Sequence, residues 1–188
     1  MSNNYRHLTF IAILAAITYI LMYISLPIIP IVPWLKIDFS SLIILLGMVI
    51  LGLKDGIIIA LIAELLYLVM TGPTILNMIG VGSNLLAIIC LCVPLYLILK
   101  KHHFILKGKN IVLAMVISTL FLTIIMSIAN YFIITPLYIN LLGMKLSFSL
   151  IKLIIMRVLP FNLIKGIVIN ILFLIVFKLL KPYLTHFI

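Results

Sequence analysis

Six stretches of this chain carry almost no charge, and each is long enough, or nearly so, to cross a bilayer. They are residues 8–26, 40–53, 56–70, 80–99, 111–134 and 159–180. A hydrocarbon core of about 30 Å takes roughly 20 helical residues to span. Backbone placed in lipid must satisfy its own hydrogen bonds, so runs of this kind are predicted to be helices. The second and third runs are short and separated only by Lys54 and Asp55. Gly52, Asp55 and Gly56 supply a tight turn there, and the combined length far exceeds one span, so two helices are expected rather than one. The predicted fold class is an all-α membrane protein: a compact bundle of six transmembrane helices. Residues 1–188 are read as a single transmembrane domain with a structured first outer loop, no internal repeat and no soluble appendage.

Composition excludes the soluble alternatives. Of 188 residues, 66% are hydrophobic and 9% charged, where a soluble domain needs roughly a quarter charged to cover its surface. The net charge of +10 would suggest nucleic acid in a soluble protein. Here the basic residues lie mostly between apolar runs, where they set topology and meet anionic lipid, so no nucleic acid is expected. With the N-terminus inside, Arg6, Lys54, Lys100, Lys101, Lys107, Lys109, Lys178 and Lys181 are cytoplasmic, against Lys36, Lys145, Lys152 and Arg157 outside. That imbalance puts both termini in the cytoplasm, with the 100–109 loop as the firmest anchor. The first run has only Arg6 ahead of it and no small-x-small site after it, so it is read as a span rather than a cleaved signal.

Polar side chains at membrane depth are costly, and each asks for an explanation. Asn130 stands near the outer end of the fifth run. Asn162 and Lys165 stand three apart at the start of the sixth, on one helical face. Pro160 suits the first turn of that helix, which places Lys165 roughly 8 Å below the helix start at 1.5 Å per residue. The plainer reading is helix-to-helix glue, with Asn bridging neighbours and Lys snorkelling to the interface. The depth of Lys165 favours contact with water, a partner or a ligand. In the first outer loop Pro27, Pro30 and Pro33 hold the chain extended before Trp34-Leu35-Lys36-Ile37-Asp38-Phe39-Ser40-Ser41. Asp38 is the one acidic residue assigned to the outer side. Either Asp38 or Ser40 is expected to cap the second helix, which leaves the other for a ligand. A third segment from Thr71 to Asn84 contains Asn77 and Gly80; its glycines predict irregular backbone, acceptable only where it lines a cavity. All three segments lie on one side. Together they describe a pocket walled by Trp34, Phe39, Tyr131 and Phe161, with Asp38, Asn77, Asn130, Asn162 and Lys165 as polar groups, suited to a flat, partly hydroxylated small molecule.

No catalytic or metal constellation emerges. His7, His102, His103 and His186 lie at or near the cytoplasmic ends without helix-ligand spacing. Gly47 and Gly52 have the Walker A interval, but Leu53 stands where Lys is needed. Cys90 and Cys92 fall on different helix faces and read as packing residues. Glu64, in mid-run, has no second membrane carboxylate or histidine beside it, so a hydrogen bond to a neighbouring span or subunit is preferred to a proton relay. Ala12 and Ala16 form a small-xxx-small face in the first run, for a partner helix or for internal packing. A ligand-free membrane scaffold is the alternative from another class, and an intramembrane enzyme ranks behind both.

These residues resemble the substrate-binding S-components of energy-coupling factor (ECF) transporters, and within that family the riboflavin-specific members. The resemblance covers essentially the whole chain. It rests on the six spans, on Ala12-x-x-x-Ala16, on Lys36-Ile37-Asp38-Phe39-Ser40, on Gly80-Val81-Gly82-Ser83-Asn84, on Asn130-Tyr131 through Pro136 to Tyr138, and on Phe161-Asn162-Leu163-Ile164-Lys165-Gly166. The small-xxx-small motif is family-wide and weak; the Lys-x-Asp-x-Ser and Asn-x-x-Lys-Gly segments are more specific. Ser41 and Ser83 depart from the family, which often has acidic residues there. The resemblance implies a binder rather than an enzyme, in a bacterial cell membrane, with riboflavin as transported ligand and no cofactor. It implies ligand contacts from Asp38, Ser40, Asn77, Gly80, Asn130, Asn162 and Lys165. Ala12 and Ala16 are implied to dock on a transmembrane coupling subunit, with two ATP-binding subunits supplying the energy and the loaded protein tilting inward. An S-component for another small vitamin is the nearer alternative.

Overall fold

A computed structural model describes residues 3–27, 35–104, 108–143 and 149–184. Among them the chain forms α1 (Asn3–Tyr23), a two-residue strand pair β1 (Leu26–Pro27) and β2 (Lys36–Ile37), α2 (Ser40–Leu51), α3 (Leu53–Thr71) and α4 (Ile75–Lys101). Two composite rods follow. The first is α5 (Gly108–Ala129), a π-helical turn at Asn130–Ile134 and α6 (Thr135–Leu142); the second is α7 (Leu150–Leu153), a π turn at Ile154–Val158 and α8 (Leu159–Leu184). Four helical stretches are long and apolar enough to cross a membrane: Tyr5–Tyr23, Ile75–Lys101, Gly108–Leu141 and Leu150–Leu180. The shorter α2 and the charge-bearing α3 complete six rods.

The split between α2 and α3 is a single residue. Gly52 has φ +107, a conformation L side chains rarely adopt, while Asp55 and Gly56 already lie inside α3. The short α2 is the centre of the bundle. Ile44, Leu45 and Met48 are fully buried, and the helix packs against α1, α3, α4 and α8. Helix α3 closes on it because Gly56 has no side chain; a Cβ there would stand 2.1 Å from Met48 Cγ. The rods α5 and α8 approach as closely at Gly166, whose Cβ would lie 2.8 Å from Thr119 Cγ2. Beside that contact Asn170 donates to the Met115 carbonyl and to the hydroxyls of Ser118 and Thr119, polar glue of the kind spans use in lipid. Large apolar side chains such as Ile13, Leu65, Phe121 and Ile171 face outward, as they must where the surrounding solvent is hydrocarbon.

Two helix starts differ from the sequence expectation. Helix α4 begins at Ile75 rather than at residue 80, so the glycine-rich Gly80–Asn84 stretch is regular helix. Thr74 caps it, its hydroxyl accepting from Asn77 N at 3.2 Å. Glycine costs a helix about 1 kcal/mol in water, but in an apolar surround an unpaired peptide costs several times more, and the helix wins. The last rod begins at Leu150 rather than at residue 159. Pro160 therefore lies inside it, just after the π turn, as Pro136 lies just after the other π turn. A proline clashes with the carbonyl four residues back and leaves it without a donor; a preceding wide turn relieves both.

Candidate functional site

The β1–β2 pair, in antiparallel register Leu26↔Ile37 and Pro27↔Lys36, lies over one end of the bundle. Leu35 and Ile37 are buried against Leu153, Ile154, Val158 and Phe161, which ties the hairpin to the start of the last rod. Beneath it lies a small cavity of about 60 Å³, partly open to solvent. The two π turns aim its polar residues. Asn130 is the first residue of one turn, and its amide donates back to Met126 O at 2.8 Å. Asn162 follows the other turn and donates to Val158 O at 2.9 Å. Each asparagine thus directs its amide nitrogen to its own helix, and Asn130 Oδ1 is buried with no hydrogen-bond partner among the described residues. An acceptor in that state costs about 1–3 kcal/mol until something donates to it.

The donor-rich partner is Lys165, which is 3% exposed. It lies fifteen residues into its rod, about 22 Å along the axis from Leu150 and deeper than the 8 Å expected from a helix starting at Pro160. Its Nζ pairs with Asp38 Oδ2 at 3.7 Å and donates to Asn84 Oδ1 at 3.1 Å. Asn84 Nδ2 in turn donates to Glu64 Oε1 at 2.9 Å. A buried polar chain therefore runs from the loop after β2 through α8 and α4 to α3. Asp38 has a second task at its other oxygen, which accepts from the backbone N–H of Ser40 at 2.9 Å and from the Ser40 hydroxyl. Capping of α2 and pairing with Lys165 fall to one carboxylate. Neither competes with the other, because an ionised carboxylate offers four lone pairs.

Of the residues singled out in the sequence, Gly80, Asn130, Asn162 and Lys165 line the cavity. Asp38 and Ser40 stand behind Lys165, held there by the contacts above. Asn77 does not line the cavity. Its amide donates to the carbonyls of Thr71 and Gly72, closing the turn between α3 and α4. Among the expected aromatic walls, Phe161 lines the cavity and Tyr131 packs at its edge, Phe39 packs against the core, and Trp34 lies outside the described residues. Ser83, Asn84 and Tyr138, named above only within the motifs of the resemblance and not as ligand contacts, also line it. A helix starting at Ile75 rather than Gly80 was the missing signal for the first two, since it gives Asn84 a defined face. Elsewhere, Ala12 and Ala16 are on the exposed face of α1, and Ala15 packs inward. Cys90 and Cys92 are buried, with the Cys92 thiol donating to Ser41 O. His7 pairs with Asp55 at 3.3 Å, joining the first turns of α1 and α3.

Comparison with known proteins places these features in a family. Residues 6–177 match the model of the ECF transporter substrate-specific component. A riboflavin transporter RibU of Staphylococcus aureus is 36% identical over 188 residues, covering 99% of this chain and 95% of that protein. RibU of Streptococcus thermophilus is 34% identical over 97% of this chain and 86% of its own length. The riboflavin transporter FmnP of Bacillus subtilis is 32% identical over 96% and 95%. In structure the chain is similar to one described as "Structure and mechanism of the S component of a bacterial ECF transporter", with a TM-score of 0.79, 33% identity, and coverage of 97% of this chain and 99% of that one.

Proposed function

The chain belongs to the ECF transporter substrate-specific component family, and from that premise we propose that it binds riboflavin in the cavity under the β1–β2 hairpin and delivers it to an ATP-driven uptake complex. The observation that carries the assignment is the pairing of an unmet acceptor, Asn130 Oδ1, with a buried cation, Lys165, in one cavity. The pyrimidine edge of a flavin alternates ring N–H and carbonyl oxygen, so it offers a donor to Asn130 and an acceptor to Lys165. Asn162 stands three residues before Lys165 on the same helix face and adds polar contact. Apolar Phe161, Ala87 and Met126 in the wall suit the fused rings. A site with buried groups that only such an edge satisfies rejects analogues lacking it.

In this reading all six rods span a bacterial cell membrane, both termini are cytoplasmic and the hairpin faces outward, an orientation the Lys and Arg distribution supports. The exposed Ala12 and Ala16 face is the docking surface for the transmembrane coupling subunit, since small residues permit close helix approach. Two ATP-binding subunits supply the energy. The test is purification in detergent: protein isolated from riboflavin-fed cells is yellow, and stripped protein quenches riboflavin fluorescence at nanomolar to micromolar concentration. A colourless preparation that leaves the fluorescence unchanged refutes riboflavin, and binding of another vitamin by the same preparation reassigns the cavity.

A further inference from the structure

Glu64 is 2% exposed at the middle of α3, and does not line the cavity. Among the described residues it forms no ion pair with a cation. Its Oε1 accepts from Asn84 Nδ2 at 2.9 Å, while Oε2 has no hydrogen-bond partner among the described residues. Asn84 is the joint between Glu64 and Lys165, and its amide has two nearly equal shapes, with oxygen and nitrogen exchanged. Only the partners choose between them. Lysine is donor-only, so the oxygen of Asn84 must face Lys165 and the NH2 must face an acceptor on the other side. Glu64 is that acceptor. Without it the NH2 loses its acceptor, and turning the amide to relieve it presents N–H groups to an ammonium ion.

We propose that Glu64 is a positioning residue of the binding site: by fixing the amide of Asn84 with its oxygen toward Lys165, it aims the Lys165 ammonium so that the cavity selects a ligand with an acceptor oxygen at that point. The ammonium is held from two sides, by Asn84 at 3.1 Å and by Asp38 at 3.7 Å, which leaves N–H capacity for the ligand. Two holds define a direction where one permits a cone. Glu64 therefore acts on the ligand through Asn84 and Lys165 and does not itself line the cavity. The inference rests on the riboflavin reading, because the selected oxygen is identified there with a ring carbonyl of the flavin.

The test measures riboflavin, 2-thioriboflavin and 4-thioriboflavin binding by fluorescence or absorbance titration, with thermal unfolding of each ligand-free variant alongside. Sulfur is a poor acceptor of the same placement, so the unaltered protein binds one thio analogue more weakly than riboflavin. Glu64→Leu weakens riboflavin binding about 10- to 100-fold, one to two factors of ten per lost buried hydrogen bond to a charged group. It weakens the disfavoured analogue much less, so discrimination collapses. Glu64→Gln keeps an acceptor for Asn84 and recovers both affinity and discrimination to within about tenfold. A Glu64→Leu protein that loses all three ligands equally, or none, overturns the proposal, as does an unaltered protein indifferent to both sulfur replacements. If Glu64→Leu does not fold, Asn84→Asp decides: alone it sets two carboxylates face to face and loses discrimination, and combined with Glu64→Gln it regains it. Absence of that recovery overturns the proposal. Failure of the unaltered protein to bind riboflavin at all is a different result, and overturns the functional reading on which the inference rests.

Discussion

Replacing Lys165 with methionine removes the cation and keeps most of the length of the side chain. What it leaves behind is Asp38, a carboxylate 6% exposed, with the Ser40 N–H and hydroxyl as its partners among the described residues. At the observed 3.7 Å the Coulomb attraction of the pair is about 4 kcal/mol at an effective dielectric near 20. Breaking a buried pair from one side costs about 3–5 kcal/mol, so Lys165→Met is expected to destabilise the ligand-free protein by about 3 kcal/mol. Asp38→Asn removes the orphaned charge while keeping an oxygen for Ser40. The double variant Asp38→Asn, Lys165→Met should therefore be less destabilised than the sum of its singles, by about 1–3 kcal/mol of coupling. Thermal unfolding in one detergent, followed by intrinsic fluorescence, gives the four stabilities. Riboflavin titration of the same preparations separates two roles of one residue: the double variant regains stability and still does not bind, because no ammonium faces the cavity. Additive singles, with coupling under about 0.5 kcal/mol, refute the buried pair. Recovery of binding in the double variant refutes contact between Lys165 and the ligand.

Three further outcomes are expected. Ala16→Leu or Ala12→Leu, on the exposed face of α1, leaves riboflavin affinity unchanged and abolishes uptake in cells carrying the coupling module; sustained uptake removes that face from docking. Gly166→Val drives a side chain into Thr119, whose Cγ2 and Oγ1 lie 2.8 and 2.9 Å from the added Cβ, and lowers stability by about 1–3 kcal/mol; an unchanged melting temperature places α5 and α8 further apart. Asn77→Ala unties the turn before α4 at a cost of about 1 kcal/mol with affinity changed less than twofold; a large loss of affinity brings Asn77 into the site.

Polar residues in apolar runs announce themselves, and so Asn130, Asn162 and Lys165 were visible as site candidates from the chain alone. What was not visible was where helices begin. Pro160 reads as a first-turn residue and Gly80 as a breaker, because propensities are learned where water competes for the backbone. In lipid that competition is absent, so α4 runs through its glycines and α8 runs back through Pro160 to a π turn. Each extension moved a cavity-lining residue: Lys165 from near a helix end to the middle of a rod, and Asn84 from the end of an irregular segment to a helix face. Only on that face does Asn84 meet Glu64, twenty residues earlier in sequence. The hydrogen bond expected between Glu64 and a neighbouring span is made with Asn84, but that partner could not be named from the chain for the same reason. A carboxylate in mid-span with no acidic or histidine companion looks isolated to any reading based on spacing, because its companion is an amide on the next helix whose position depends on how that helix starts. The rotation of α4 is held along its length by packing against α3 and α5, and that packing aligns Asn84 with Glu64 on one side and Lys165 on the other. A change that slips α4 by one residue turns Asn84 about 100° around the helix axis and breaks the chain from Asp38 to Glu64 at its centre, although every residue that touches the ligand in sequence is still present.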